Sequence, residues 1–258
     1  MKLIRFIKII LYVSFKQFYS SIDLKGYLLL RVLFPLSQVL FFLVLNKYAQ
    51  IDRDMSVKIV CNCLLLCFNN VFFGIAFILV DEKENHTLKY HLFAKNSYLI
   101  ISMKSLTFIF DSVITMFFIM LGYYFIDPTY LDIQRILPYL IVIFSSIVSI
   151  VGFALFLSPL AFVIKDFQIM INIITGIVLC FCGAIVPLEL LPKGLIPFSS
   201  VLPFTHSIIA LDNPYLLSNF FQKNIIIDLF IGIGYYILGY IIFNILEKKA
   251  REGGQILH

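Results

Sequence analysis

Long apolar runs separated by short polar segments constrain this chain more than any other feature. Such runs extend from about Tyr27 to Leu45, Val57 to Val80, Met103 to Ile126, Ile136 to Pro159, Gln168 to Ala184 and Ile225 to Leu246, with few charges in any of them. Each approaches the ~20 residues that a helix needs to cross a hydrocarbon core. A bilayer offers backbone N–H and C=O groups no hydrogen bonds, so the runs must be helices or segments packed against helices. Composition agrees: 61% of the 258 residues are hydrophobic and only 14% are charged, against roughly a quarter charged in soluble domains. The mean hydropathy is +0.98. The expected fold class is all-α integral membrane, one transmembrane domain over residues 1–258 with six transmembrane helices.

Three segments depart from this pattern. Residues 1–22 carry Lys2, Arg5, Lys8 and Lys16 at helical spacing, with Leu3, Ile7, Ile10, Leu11, Phe15, Phe18 and Ile22 on the other side. The pattern predicts a basic amphipathic helix lying in the membrane interface; a plain positive flank that sets topology is the alternative. Residues 81–96, DEKENHTLKYHLFAKN, form the most polar stretch before the carboxyl terminus. Residues 185–212 set Pro187, Pro192, Pro197 and Pro203 among apolar neighbours. Prolines at that spacing prevent one continuous helix, and the segment is too apolar for an exposed loop. Re-entrant half-helices on the outer side, between the fifth and sixth spans, meet both constraints if their irregular backbone is buried against protein or lines a cavity.

Charge sets the orientation. The formal charge of +5 is scattered through membrane-flanking segments rather than gathered in a patch, which argues for topology and against a nucleic-acid partner. Lys2, Arg5, Lys8, Lys16, Lys25, Lys83, Lys89, Lys95, Lys104, Lys165, Lys248, Lys249 and Arg251 fall on one side, and the smaller set Lys47, Arg53, Lys58, Arg135, Lys193 and Lys223 on the other. The positive-inside rule places both termini in the cytoplasm. A multi-pass protein of a bacterial cytoplasmic (inner) membrane is expected, its first span acting as the targeting signal and no signal peptide removed.

Cys61, Cys63, Cys67, Cys180 and Cys182 all lie in apolar runs and read as small buried hydrophobes. Cys61 and Cys63, two apart on a helix, point in nearly opposite directions, so no metal site is expected. The chain has no G-x-x-x-x-G-K-[ST], H-E-x-x-H or G-x-S-x-G motif, and catalysis is not expected of it. Polar residues inside spans are functional candidates by default. Asp111, about six residues into the third run, either lines a route, pairs with Arg31, or snorkels. Arg31 lies near the cytoplasmic edge and can itself snorkel. Asn69 and Asn70 are helix-packing partners or substrate contacts, and Asp228 is expected merely to face the outer interface. His206 either titrates near neutral pH or serves as an ordinary hydrogen-bonding residue.

Two motifs carry a family resemblance. Glu82-Lys83-Glu84-Asn85-His86-Thr87-Leu88-Lys89-Tyr90-His91-Leu92 resembles the E-[RK]-E-x-G-T-L-E-x-L-L segment that follows the second span in ABC-2 type transporter permeases. Cys182-Gly183-Ala184-Ile185-Val186-Pro187-Leu188-Glu189-Leu190-Leu191-Pro192, followed by Leu202-Pro203-Phe204-Thr205-His206, resembles that family's S-G-x-x-x-P-L-E-x-L-P and L-P-L-T-[HY]. His86 replaces the usual Gly, and Asp212 stands near a common Arg. The resemblance implies an exporter subunit that pairs with a second six-span permease subunit, identical or not, and with two copies of an ABC ATPase. ATP and Mg would bind to those partners and no cofactor to this chain. It further implies that Glu82, Lys83, Glu84, His86, Thr87, Leu88 and Leu92 couple to the ATPase, while Pro187, Glu189, Pro192, Pro203 and His206 form an outer gate. The motif wording resembles exporters of drugs, antibiotics or peptides, with a lipid-linked polysaccharide or teichoic-acid-type glycan as the alternative cargo. From other classes, a secondary transporter or a non-transporting membrane sensor or anchor would share the same spans; no internal repeat supports the former.

Overall fold

The computed structural model describes residues 8–16, 23–48, 54–85, 87, 97–126, 133–212 and 222–252. Among these residues the regular structure is helical, without strands. Helix α1 covers residues 8–16. Helix α2 (Leu24–Leu28) passes through a π turn (Leu29–Leu33) into α3 (Phe34–Tyr48). Then come α4 (Met55–Glu84), α5 (Ser97–Ile126), α6 (Ile133–Leu157) with a trailing 3-10 turn (Ser158–Phe162), and α7 (Phe167–Phe181). A 3-10 turn (Leu188–Leu190) and the short helices α8 (Ile196–Ser199) and α9 (Thr205–Leu211) precede α10 (Lys223–Glu252).

Among the described residues four helices, Met55–Glu84, Ser97–Phe125, Leu137–Phe162 and Lys223–Lys249, are long and apolar enough to cross a membrane. The other two expected spans look different for identifiable reasons. Pro35 has no N–H for the carbonyl four residues back, and its ring crowds that carbonyl. The preceding turn widens instead, and the Phe34 N–H reaches the Leu29 carbonyl. Helix α7 has 15 residues, about 22 Å at the α-helical rise, short of the ~30 Å hydrocarbon core. It stops because Gly183, just past the cap residue Cys182, takes a left-handed φ of 89°, the usual glycine ending. Of the expected interfacial helix, the described part is α1, whose Phe15 packs edge-on against Phe110 of α5 at 5.5 Å; the remainder of 1–22 lies outside the described residues.

Helix α4 sits at the centre. It is buried on almost every side from Ile59 to Leu79, as expected of a helix that is apolar all round. Phe68 stacks on Phe72 at 4.8 Å, and Phe72 stacks on Phe153 of α6 at 5.6 Å. Cys61, Cys63, Cys67 and Cys182 are buried, whereas Cys180 is exposed; it lies off the α7 face formed by Phe167, Ile171, Thr175 and Val178.

Helices α6 and α10 meet backbone to backbone. A Cβ on Gly152 would lie 2.1 Å from the Gly232 carbonyl oxygen, and one on Gly232 would lie 2.8 Å from Ser149 Cα. Farther along, a Cβ on Gly239 would come 2.9 Å from the Leu155 carbonyl oxygen. Small residues at such crossings let helices gain van der Waals contact where lipid gives no hydrophobic drive. Large apolar side chains cover the opposite faces, among them Phe110 and Phe117 on α5, Ile169 and Ile173 on α7, and Phe230 and Ile237 on α10. Exposed apolar surface of that extent suits contact with lipid rather than water.

Candidate functional site

Polar side chains gather at three depths. At the end where α4 stops and α5 starts, Glu82 is buried and forms an ion pair with Lys104 of α5. The Thr87 hydroxyl also donates to the Glu82 carboxylate. The Thr87 N–H bonds the Glu82 carbonyl at 3.0 Å, and the Asn85 N–H bonds the Asp81 carbonyl at 2.9 Å. These two bonds occupy carbonyls of the last turn of α4 that the helix itself leaves without partners. Ser97 at the start of α5 donates to Glu247 near the end of α10 at 3.0 Å. The Glu82 charge is thus balanced within the bundle, since a buried carboxylate needs a cation beside it. Lys83 and Glu84 are exposed. His86, Leu88 and Leu92 lie outside the described residues.

Deeper in, Arg31 Nε lies 2.8 Å from Asp111 Oδ2. Tyr27 donates to Asp111 Oδ1 at 3.0 Å, and an Arg31 guanidinium N–H donates to Asn70 Oδ1 at 2.6 Å. The cluster joins α2 and its π turn to α4 and α5. Since α5 begins at Ser97 rather than at Met103, Asp111 sits near the middle of that helix. Arg31 is turned inward to Asp111 and Asn70, so of the readings open to it the pairing with Asp111 is the one the geometry has. Asn69 is half-buried, one position from that contact, and its Oδ1 has no hydrogen-bond partner.

At the opposite end, residues 182–212 fold over α4, α6 and α10. Pro187 opens the 3-10 turn, and Glu189 and Pro192 are exposed, whereas Pro203 is buried and His206 half-buried. The expected gate residues thus divide into an exposed and a packed subset. Phe204 has a φ of 51°, a left-handed conformation that costs a non-glycine residue about 1–3 kcal/mol. Two contacts hold it: its ring is fully buried and tilts against Phe68 at 5.4 Å, and its N–H donates to Ser149 Oγ of α6 at 3.3 Å. His206 Nε2 lies 3.0 Å from the Ser200 carbonyl oxygen. Burial lowers its pKa from the ordinary imidazole value, against a smaller opposing effect of that carbonyl.

Asp228 corrects an expectation. Instead of facing the interface it is fully buried, accepting a hydrogen bond from Ser207 of α9. Ser207 Oγ is in turn 2.9 Å from Ser145 Oγ of α6. A signal for this existed in the sequence. Asp228, Gly232, Tyr235 and Gly239 recur at i, i+4, i+7 and i+11, so the carboxylate shares the close-packing face of α10. Ser145, Ser149 and Gly152 trace the matching stripe on α6.

A family model described as ABC-2 type transporter matches residues 6–214, well over half of the chain. No curated protein matches it.

Proposed function

Because the chain belongs to the ABC-2 type transporter family, whose members are membrane components and not the ATPase itself, we propose that it is the permease subunit of an ATP-driven exporter. In this reading the end bearing Glu82 and Ser97 faces the cytoplasm with both termini. Helices α2 and α3 together, and α7 extended by residues 182–186, complete six spans. A second permease subunit and two ATPase subunits complete the transporter. The cargo is an amphipathic drug, antibiotic or peptide, a choice supported by the wording of the Pro187–Pro192 and Leu202–His206 motifs.

The observation that carries the proposal is the anchored start of the 85–97 connection. Glu82 is tied to Lys104 and Thr87, and Ser97 to Glu247, so a push on this connection is delivered to α4, α5 and α10 at once. Exposed Lys83 and Glu84 beside it are available to a partner. Residues 185–212, packed over the far ends of the same helices, would seal the route between cycles, with Pro203 and His206 in the packed part.

The test is co-expression with a candidate ABC ATPase partner. Replacing Lys83, Glu84 and Leu88 by Ala should abolish ATPase capture and export while leaving membrane insertion and the amount of protein unchanged. Undiminished capture and export by this variant would overturn the coupling assignment.

A further inference from the structure

The geometry points to Asp228 as a proton-binding latch: a neutral carboxylic acid that ties α9 to α6 and α10 and releases α9 when it ionises. The contrast with Asp111 is the starting observation. Both carboxyls lie inside long apolar helices with no exposure, but Asp111 has the Arg31 guanidinium at 2.8 Å. Asp228 faces only neutral groups: the Ser207 hydroxyl, the Ser149 hydroxyl and the Phe204 N–H. Its Oδ1 has no hydrogen-bond partner. An ionised carboxylate can accept about four hydrogen bonds, and burial of one that lacks a cation is strongly unfavourable, so such a group takes up a proton instead.

The charged and titratable groups on every surrounding element leave this picture unchanged among the described residues. On α10, Lys223 is exposed at the first turn and Tyr235 gives its hydroxyl to the Val201 carbonyl at 2.8 Å. On α6, the facing residues are Ser145 and Ser149, with Tyr139 farther toward the start of the helix. On α9 and its flanks, His206 is engaged with the Ser200 carbonyl and Asp212 is exposed. Helix α4 contributes the Phe68 ring through Phe204.

Protonation also makes the local hydrogen bonds consistent. Ser149 Oγ accepts from the Phe204 N–H and has a second lone pair free for a carboxyl proton on Oδ1. Oδ2 accepts from Ser207, which shares a bond with Ser145. One proton therefore completes a network that spans α6, α9 and α10 and holds the left-handed turn at Phe204. Loss of that proton leaves a buried charge that neutral donors face but no cation balances, a state that water would further stabilise. Admitting water requires α9 to lift. The inference concerns the chain itself and stands whether or not the cargo assignment is right.

The experiment uses the full-length protein in lipid nanodiscs. Infrared spectra should contain a C=O stretch of a protonated carboxylic acid that Asp228→Asn removes. Hydrogen exchange of residues 202–211, expressed as protection factors, should fall by about tenfold or more in the wild type as the pH is raised until that band disappears. Asp228→Asn, neutral and of the same shape, should keep full protection at every pH. Ser207→Ala, which cuts the same link from the α9 side, should lower protection at every pH without abolishing the band. The proposal is overturned if Asp228→Asn leaves the carboxylic-acid band intact, if it loses protection as Ser207→Ala does, or if wild-type protection persists after the band has gone.

Discussion

Removing the Asp111 carboxylate should strand Arg31 inside the helix bundle, and the size of the loss can be bounded in two ways. Breaking a buried ion pair by deleting one partner costs about 3–5 kcal/mol. Placing an arginine at the centre of a membrane helix costs about 2.5–3.5 kcal/mol on insertion scales. The Arg31 side chain keeps 17% of its surface accessible, and Asn70 still accepts one of its hydrogen bonds, so the lower part of the first range applies. Asp111→Ala is expected to destabilise the protein by about 3 kcal/mol. Asp111→Asn should cost somewhat less, because the Tyr27 hydroxyl can still donate to the amide oxygen. The double variant Arg31→Met with Asp111→Leu removes both charges and should recover most of the loss, since apolar replacement of a buried pair is often neutral or stabilising. Equilibrium unfolding in mixed micelles of the wild type, Arg31→Met, Asp111→Leu and the double variant closes a double-mutant cycle. Single variants that each cost under about 1 kcal/mol, or a double variant as unstable as the sum of the singles, would refute the reasoning.

Other outcomes can be checked with the same preparation. Gly152→Ala puts a methyl group against the Gly232 carbonyl and should cost about 1–3 kcal/mol, whereas Gly234→Ala, with open space around it, should be neutral or gain up to about 1 kcal/mol. Lys104→Met should destabilise the α4–α5 junction by about 3 kcal/mol, read by thermal unfolding, with recovery on adding Glu82→Gln. Ser149→Ala removes the acceptor of the Phe204 N–H and should cost about 1 kcal/mol, seen first as faster hydrogen exchange at residues 203–206. A lipid-soluble maleimide should label Cys180 in the folded protein and reach Cys61, Cys63, Cys67 and Cys182 only after unfolding, as mass spectrometry would record.

Long helices were legible in the sequence because apolar length is a one-dimensional property. Thus the runs at Val57, Met103, Ile136 and Ile225 reappear in α4, α5, α6 and α10, and α4, α5 and α10 each extend to a polar residue with a partner inside the bundle, Glu82, Ser97 and Glu247. The start of α5 moved from Met103 back to Ser97 because Lys104 pairs with Glu82 and Ser97 with Glu247, so polarity there reflects an internal contact rather than a loop. Pro35 signalled a defect in its helix, but whether a proline kinks the chain or widens the turn before it depends on neighbouring packing. The pairing of Arg31 with Asp111 was one of several readings; residues 80 positions apart meet only through the three-dimensional arrangement of helices. Asp228 was misjudged because depth along a span was weighed and helix face was not. The left-handed turn at Phe204 had no local signal at all, since Phe is a poor residue for it and only the ring's burial and Ser149 make it tolerable.

The touching backbones of α6 and α10 limit how this protein can change shape. Two helices whose glycines interlock cannot glide past one another by a fraction of an ångström, because every intermediate offset drives a carbonyl into a Cα. They either stay engaged or slip by a whole turn, about 5.4 Å, and the second choice would break one of the two links of Ser207, to Asp228 of α10 or to Ser145 of α6. The pair is accordingly a stiff beam running the full thickness of the bundle, and bending or swivelling during any working stroke falls to its neighbours, foremost the helix that already carries a widened turn at Leu29–Leu33.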